Sequence, residues 1–296
     1  MAFLTVDKTF LRSPAPVLAR DIEAYPEGLI LPVDKPYRWT SADVVRKLKF
    51  LACRYFQKKN LKVGHAGTLD PLATGVLLVC IGKATREAEA LQRHEKEYLA
   101  GLSFGATTPS YDLEKEPDRF YPTDGLTKER LDGVLQGFLG EQEQIAPLFS
   151  AKSVEGIRAY EMARKMYKKA KSSPGEDTAG FDKTAEELLS RQRITISDIR
   201  LESFLPQGRV PQEEAEASAR SARIHVADIS DFHFPHADIR ITCSKGTYIR
   251  ALARDIGETL DTGAFLDSLR RTRSGDFRVE NALDMEEAAD LMKIVP

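Results

Sequence analysis

The chain has 296 residues, 42% of them hydrophobic and 30% charged, with a formal net charge of −2; this is enough apolar material for a sizeable core and excludes wholesale disorder. The longest strongly apolar run, Val76–Ile81, is too short for a membrane span, and no apolar leader opens the chain. Cys53, Cys80 and Cys243 lie far apart without metal-type spacing, which argues against a disulfide framework and for reduced thiols in a cytoplasmic protein.

Residues 1–28 carry three prolines and little periodicity and read as an N-terminal extension on the surface. Leu29–Val33 reads as a short strand ended by Asp34-Lys35-Pro36. Thr40 then caps a helix, with Asp43 placed to close a capping box and Val44, Val45, Leu48 and Leu51 as its apolar face. Tyr98–Phe104 alternates like a strand. Leu131, Val134, Leu135 and Phe138 follow helical spacing after a Thr127 cap. Arg193–Phe204 and Asp238–Cys243 read as strands, and Thr247–Leu260 as a helix burying Ile249, Leu252, Ile256 and Leu260. The elements lack a βαβ rhythm, so the expected class is α+β with a mixed, mainly antiparallel sheet flanked by helices. Residues 29–296 are expected to form a single domain with polar insertions near 165–190 and 206–223.

Charge is segregated. No acidic residue occurs from Val44 to Leu69, where Arg46, Lys47, Lys49, Arg54, Lys58, Lys59 and Lys62 fall. A second basic cluster runs from Lys152 to Lys171. A third holds Lys245, Arg250 and Arg254, with Arg270, Arg271 and Arg273 following. Such clusters read either as solvated helix faces or as a positive surface for phosphates.

Gly64-His65-Ala66-Gly67-Thr68-Leu69-Asp70-Pro71-Leu72-Ala73-Thr74-Gly75 is the densest concentration of unusual residues. Glycine permits close approach, and the residue before proline is held extended, so Asp70 stands on a tight, pre-shaped loop. It is not a Walker-type loop, because no Gly-Lys-Ser/Thr ends it. From the segment alone, Asp70 is accounted for by a turn or cap as well as by catalysis, and His65 by a hydrogen-bonded loop position.

The segment and the Val76-Leu77-Leu78-Val79 that follows it resemble the catalytic motif of TruB-type pseudouridine synthases. Further stretches resemble that family in order: Asp34-Lys35-Pro36 with Thr40-Ser41, Lys96-Glu97-Tyr98, Phe149-Ser150-Ala151-Lys152, and Arg158-Ala159-Tyr160-Glu161 with Ala163-Arg164. Cys243-Ser244-Lys245-Gly246-Thr247-Tyr248-Ile249-Arg250 and Gly263-Ala264 with Leu269-Arg270-Arg271 complete the series. The resemblance implies a pseudouridine-synthase fold with a thumb-like insertion, acting on the T-arm of tRNA at position 55. It further implies Asp70 as nucleophile, Arg250 as its ion-pair partner, and Tyr98 stacked on the target base with a share in proton removal. His65 is implied to pack into the T-loop, and Tyr248 and Leu269 to line the pocket. The isomerisation is redox-neutral, so neither cofactor nor metal is expected, and a monomer without an obligate protein partner or membrane association is expected. A non-catalytic tRNA-binding relative and a synthase acting on another RNA are the competing readings.

The match departs from the family pattern in places. Arg38 stands where the first motif usually has glycine, Phe149 replaces a common tyrosine, and Thr107–Asp112 is a loose version of the acidic motif. About twenty residues follow Gly275, too few for the RNA-binding PUA domain many members carry.

Overall fold

A computed structural model describes residues 3–149, 153–154, 157–158, 161–163, 165, 191–208 and 224–293. Most of both expected insertions, and most of the middle motifs around Lys152 and Tyr160, lie outside the described residues. The strands are β1 (Leu4–Thr5), β2 (Leu29–Lys35), β3 (Val63–Ala66), β4 (Ala73–Ile81), β5 (Lys96–Phe104), β6 (Ala106–Thr107), β7 (Arg119–Phe120), β8 (Gly140–Gln144), β9 (Ser153–Val154), β10 (Ile157–Arg158), β11 (Gln192–Leu205), β12 (His236–Cys243), β13 (Ala264–Ser274) and β14 (Phe277–Arg278). The helices are α1 (Lys8–Leu11), α2 (Ser41–Tyr55), α3 (Ala88–Arg93), α4 (Lys128–Gln136), α5 (Ile249–Thr259) and α6 (Met285–Asp290). The fold is α+β, with a large mixed sheet and helices.

The chain divides into two compact units: the described residues up to Tyr98, Ile224 and those from Leu269 onward form unit 1, and the others form unit 2, so that β5 and β13 each cross a boundary. In unit 1 the strand order is β1-β2-β4-β13, with β3 also on β4 and β14 on β13. β2 and β3 run antiparallel to β4, while the Leu269–Arg271 part of β13 runs parallel to it. A continuous apolar run with both faces buried makes β4 the centre of this unit, Val76 to Ile81 all being inaccessible. Residues 3–28 contribute β1, parallel to β2, and bury Val6, Leu18 and Ile22.

The capping box at the start of α2 is formed as its residues require: Asp43 N–H donates to Thr40 Oγ1, and Thr40 N–H to Asp43 Oδ2. The buried face is Ser41, Val44, Leu48, Ala52 and Tyr55, whereas Val45 and Leu51 lie half-buried at its rim. Small and aromatic residues thus complete a stripe whose apolar members alone suggest a different centre.

In unit 2 the order is β5-β12-β11-β8, with β12 and β8 both antiparallel to β11. Helix α4 buries Leu131 and Leu135, and α5 buries Ile249, Leu252 and Ile256, with Leu260 following in its cap. Cys80 and Cys243 are buried free thiols, while Cys53 is half-buried.

Candidate active site

The loop between β3 and β4 is held from below by buried charge. Lys35, at the end of β2, has no exposed surface, and its Nζ donates to the carbonyls of Pro36 (2.9 Å), Trp39 (2.5 Å) and Pro71 (3.2 Å). All three ammonium protons are therefore used, and one of them pins the residue after Asp70. Arg271 on β13 is 1% exposed; its Nε donates to Val76 O (2.7 Å) and its Nη2 to Gly67 O (3.0 Å). On the other flank Ser41 Oγ donates to Leu69 O and accepts from Leu69 N–H, at 3.0 and 2.9 Å. Both sides of Asp70 are thus tied to rigid elements by hydrogen bonds to backbone.

Gly75 completes the anchoring. Its φ is +99°, and a Cβ there would lie 2.2 Å from Arg271 O, where β4 and β13 meet in register, so only glycine fits. Its N–H donates to Asp34 Oδ1 (3.1 Å), and Arg270 grips both oxygens of Asp34 at 3.2 and 2.6 Å, a bidentate arrangement of the strong kind.

Asp70 itself is half-buried at the head of this loop, and its charge is felt by Lys35. Burial pulls the Lys35 ammonium down to about 7, opposed by Asp70 and assisted by Arg271. His65 on β3 sits opposite Val79, half-buried. Burial, and then the charge of Arg271, holds its imidazole below the usual value, so the ring is neutral at pH 7. Its Nδ1 has no hydrogen-bond partner among the described residues. Tyr98 on β5 is 8% exposed, and Leu269 on β13 is half-buried opposite Ala73, three residues after Asp70.

Tyr248 and Arg250 belong to unit 2. Tyr248 is the N-cap residue of α5, with its backbone N–H donating to Gln144 Oε1 (2.9 Å) and its carbonyl accepting from Gln144 Nε2 (3.1 Å). Arg250, in the first turn, is 5% exposed. Its guanidinium donates to Ser110 O (3.1 Å) and Phe149 O (3.0 Å) and lies 3.6 Å from Asp112 Oδ2. Asp112 in turn accepts from Ser110 Oγ (2.7 Å) and from Glu114 N–H (2.9 Å). A buried arginine with this many fixed partners is pre-oriented.

Lys35, Arg271 and Asp112 are parts of the arrangement to which the sequence reading gave no role, although each falls inside a motif it singled out. Their partners are mostly main-chain carbonyls, which carry no residue signature.

Residues 54–176 match the family model described as TruB family pseudouridylate synthase (N terminal domain), and residues 250–295 match the tRNA pseudouridylate synthase B C-terminal domain. Proteins named tRNA pseudouridine synthase B are similar over most of the chain. That of Phocaeicola vulgatus is 45% identical over 88% of this chain and 92% of its own. That of Bacteroides thetaiotaomicron is 46% identical over the same shares, and that of Clostridium kluyveri 34% over 90% of this chain and 74% of its own. Among solved structures, a chain of a Cbf5-Nop10-Gar1 complex matches with a TM-score of 0.57 at 25% identity, over 91% of this chain and 56% of that one. A chain of an H/ACA RNP bound to a substrate RNA matches with a TM-score of 0.53 at 23% identity, over 89% and 53%. The chain thus spans about half the length of these solved chains, and the likeness supports the pseudouridine-synthase fold. Identity of 45% and 46% along 92% of the length of two relatives, together with the two family models, shows that the chain belongs to the TruB family of pseudouridine synthases.

Proposed function

We propose that the protein isomerises uridine to pseudouridine in the T-loop of tRNA, at position 55, with Asp70 as nucleophile after the base is flipped out. The observation that carries this reading is the clamped loop: buried Lys35 and Arg271 grip the main chain on either side of Asp70 and hold a half-buried carboxylate in register. Its relatives' names supply the class of substrate.

In this reaction the N1–C1′ bond breaks, uracil turns, and C5 bonds to C1′; the C5 proton leaves and N1 ends protonated. Nothing is oxidised or hydrolysed. A positioned carboxylate is therefore the main chemical requirement, and the positive field beneath the loop suits it. Arg250 is proposed as its charge partner, in keeping with a buried, pre-oriented guanidinium. Tyr98 is proposed to stack on the extruded base, returning about 1–3 kcal/mol against an unstacking cost of a few kcal/mol. Its hydroxyl is a weak base by its ordinary pKa near 10, so stacking is the role assigned first. Neutral His65 fits packing into the T-loop in place of the base, and Tyr248 and Leu269 are proposed as pocket walls.

Incubation of an unmodified tRNA transcript with wild type and with Asp70→Asn, followed by carbodiimide mapping, tests the assignment. Wild type is expected to form pseudouridine at the T-loop uridine, and Asp70→Asn to be slower by at least about a thousandfold while still binding tRNA. Tight tRNA binding by both without product points instead to a binding protein, and product at another site to a different RNA target.

A further inference from the structure

The first turn of α5 carries Arg250, yet the helix begins without a side chain of its own to cap it. Tyr248, the N-cap residue, makes no side-chain capping bond, although the leading N–H groups of a helix need acceptors from outside it. The partner comes from a distant strand. Gln144, the last residue of β8, accepts Tyr248 N–H at 2.9 Å through Oε1 and donates from Nε2 to Tyr248 O at 3.1 Å. The same carbonyl also receives Leu252 N–H at 3.0 Å within the helix. One planar amide thus meets both main-chain groups of one residue, and two contacts fix orientation as well as distance.

A glutamine is a costly choice for this position. β8 reads Gly-Glu-Gln-Glu-Gln, and Gln144 is its one buried residue, 2% exposed. A buried amide costs free energy unless both its ends are bonded, whereas a leucine or methionine fills such a place without that demand. What the amide adds is its two bonds. Its cross-strand partner in register is Gln192 on β11, which donates from Nε2 to Gly246 O. Two facing glutamines thus hold the main chain of Gly246 and Tyr248. The start of the same loop is tied to β11, with Ser244 N–H donating to Thr195 O and Thr195 N–H to Ser244 Oγ, each at 2.9 Å.

We propose that Gln144 is a positioning residue for pseudouridine formation: its amide sets the start of α5, and with it Tyr248 in the pocket wall and Arg250 two residues on. This rests on the roles proposed above for Tyr248 and Arg250. Arg250 has partners of its own in Ser110 O, Phe149 O and Asp112. They hold the guanidinium end, while the backbone end is placed by the helix. Misplacement of about 1 Å at a reacting centre can cost on the order of a hundredfold in rate, so the mount matters as much as the charged group.

The test uses Gln144→Met, which keeps the bulk and removes both bonds, and Gln144→Glu, with Arg250→Gln alongside. Single-turnover rates on a saturating tRNA transcript, tRNA affinity and thermal melts to verify folding are measured at about pH 5.5 and about pH 8.5, both above the ordinary carboxyl range. When protonated, the introduced carboxyl offers the same acceptor and donor as the amide; when ionised, it sets an oxygen against Tyr248 O. Burial and that carbonyl favour the protonated form, and the neighbouring cation Arg254, which donates to Ile145 O, is already engaged by Asp255 at 2.7 Å. Gln144→Met is expected to lose about ten- to a hundredfold in rate, with affinity within about threefold of wild type. Gln144→Glu, taken relative to wild type at each pH, is expected to be faster at the acid end by at least about fivefold. A folded Gln144→Met at the wild-type rate, or a loss confined to affinity, overturns the inference. So does a Gln144→Glu protein whose rate relative to wild type is the same at both pH values; if Gln144→Met does not fold, this comparison decides by itself. Arg250→Gln at the wild-type rate overturns the inference together with the role beneath it, whereas a slow Arg250→Gln beside a fast Gln144→Met overturns this inference alone.

Discussion

Arg38 stands in the turn after Pro36, where the backbone adopts the left-handed conformation that glycine favours, with φ +60°. An L-residue in that left-handed region costs roughly 1–2 kcal/mol. The side chain offsets part of this, because Arg38 Nη2 donates to Ile224 O at 2.8 Å, a bond worth about 1 kcal/mol. Two substitutions separate the effects. Arg38→Gly loses the bond and relieves the backbone; Arg38→Ala loses the bond and keeps the strain. Arg38→Gly should therefore be the more stable of the two by about 1 kcal/mol, as chemical denaturation would show; equal stability would mean that the turn relaxes. Lys35 illustrates the opposite case. Its place in a motif is plain from the sequence, but that it stands wholly buried beneath the loop follows from the convergence of the Pro36, Trp39 and Pro71 carbonyls, which only the folded chain brings about.

Among the elements of unit 2, β12, β13 and β5 are tied by a buried imidazole. His236 opens β12 with no exposed surface; its Nδ1 lies 2.7 Å from Asp267 Oδ2 on β13 and its Nε2 3.2 Å from Asp238 Oδ1. Ser103 on β5 donates to the same Asp267 oxygen at 2.7 Å. Gly101 leaves the space, since a Cβ there would sit 2.4 Å from Asp267 Oδ1. Two carboxylates on opposite ring nitrogens require the doubly protonated imidazolium. Burial alone lowers its pKa, but the hydrogen bonds to Asp238 and Asp267, and their charges, push it up to about 9. The folded value lies above the unfolded one near 6.5, so the stabilisation is complete below about pH 6.5 and is lost as pH rises through 9. His236→Gln should be less stable than wild type at pH 6, and the gap should narrow by more than about 1 kcal/mol at pH 10. Urea unfolding at the two pH values measures it, and a gap independent of pH would mean that the imidazole is not charged in the fold.

For the whole molecule, a net charge of −2 hides an uneven distribution, and the net value alone would not suggest a polyanionic substrate. The late basic cluster is largely engaged internally, while Lys62 of the early one, and Lys83 beyond it, are exposed and make no ion pair among the described residues. Binding of tRNA to the wild-type protein should therefore weaken steeply with salt, by at least about tenfold between 50 and 200 mM. Filter binding across that range checks this; a flat response would mean that the RNA is held by shape and stacking instead of phosphate contacts.

Read alone, the sequence determined the α+β class, most of the main elements and the family motifs, because these depend on signals local to the chain. The Thr40–Asp43 capping box, the apolar run of β4 and the Asp70-Pro71 turn are each written within a few residues. What the tertiary structure alone decided is how charge is spent. Arg271 lies beneath Gly67, Arg250 faces Asp112, and His236 is caught between Asp238 and Asp267. Each of these pairings joins segments distant in the chain, often through a carbonyl that any residue could supply, so no pattern of side-chain types announces it. Packing chooses the partners, and burial then sets what each contact is worth.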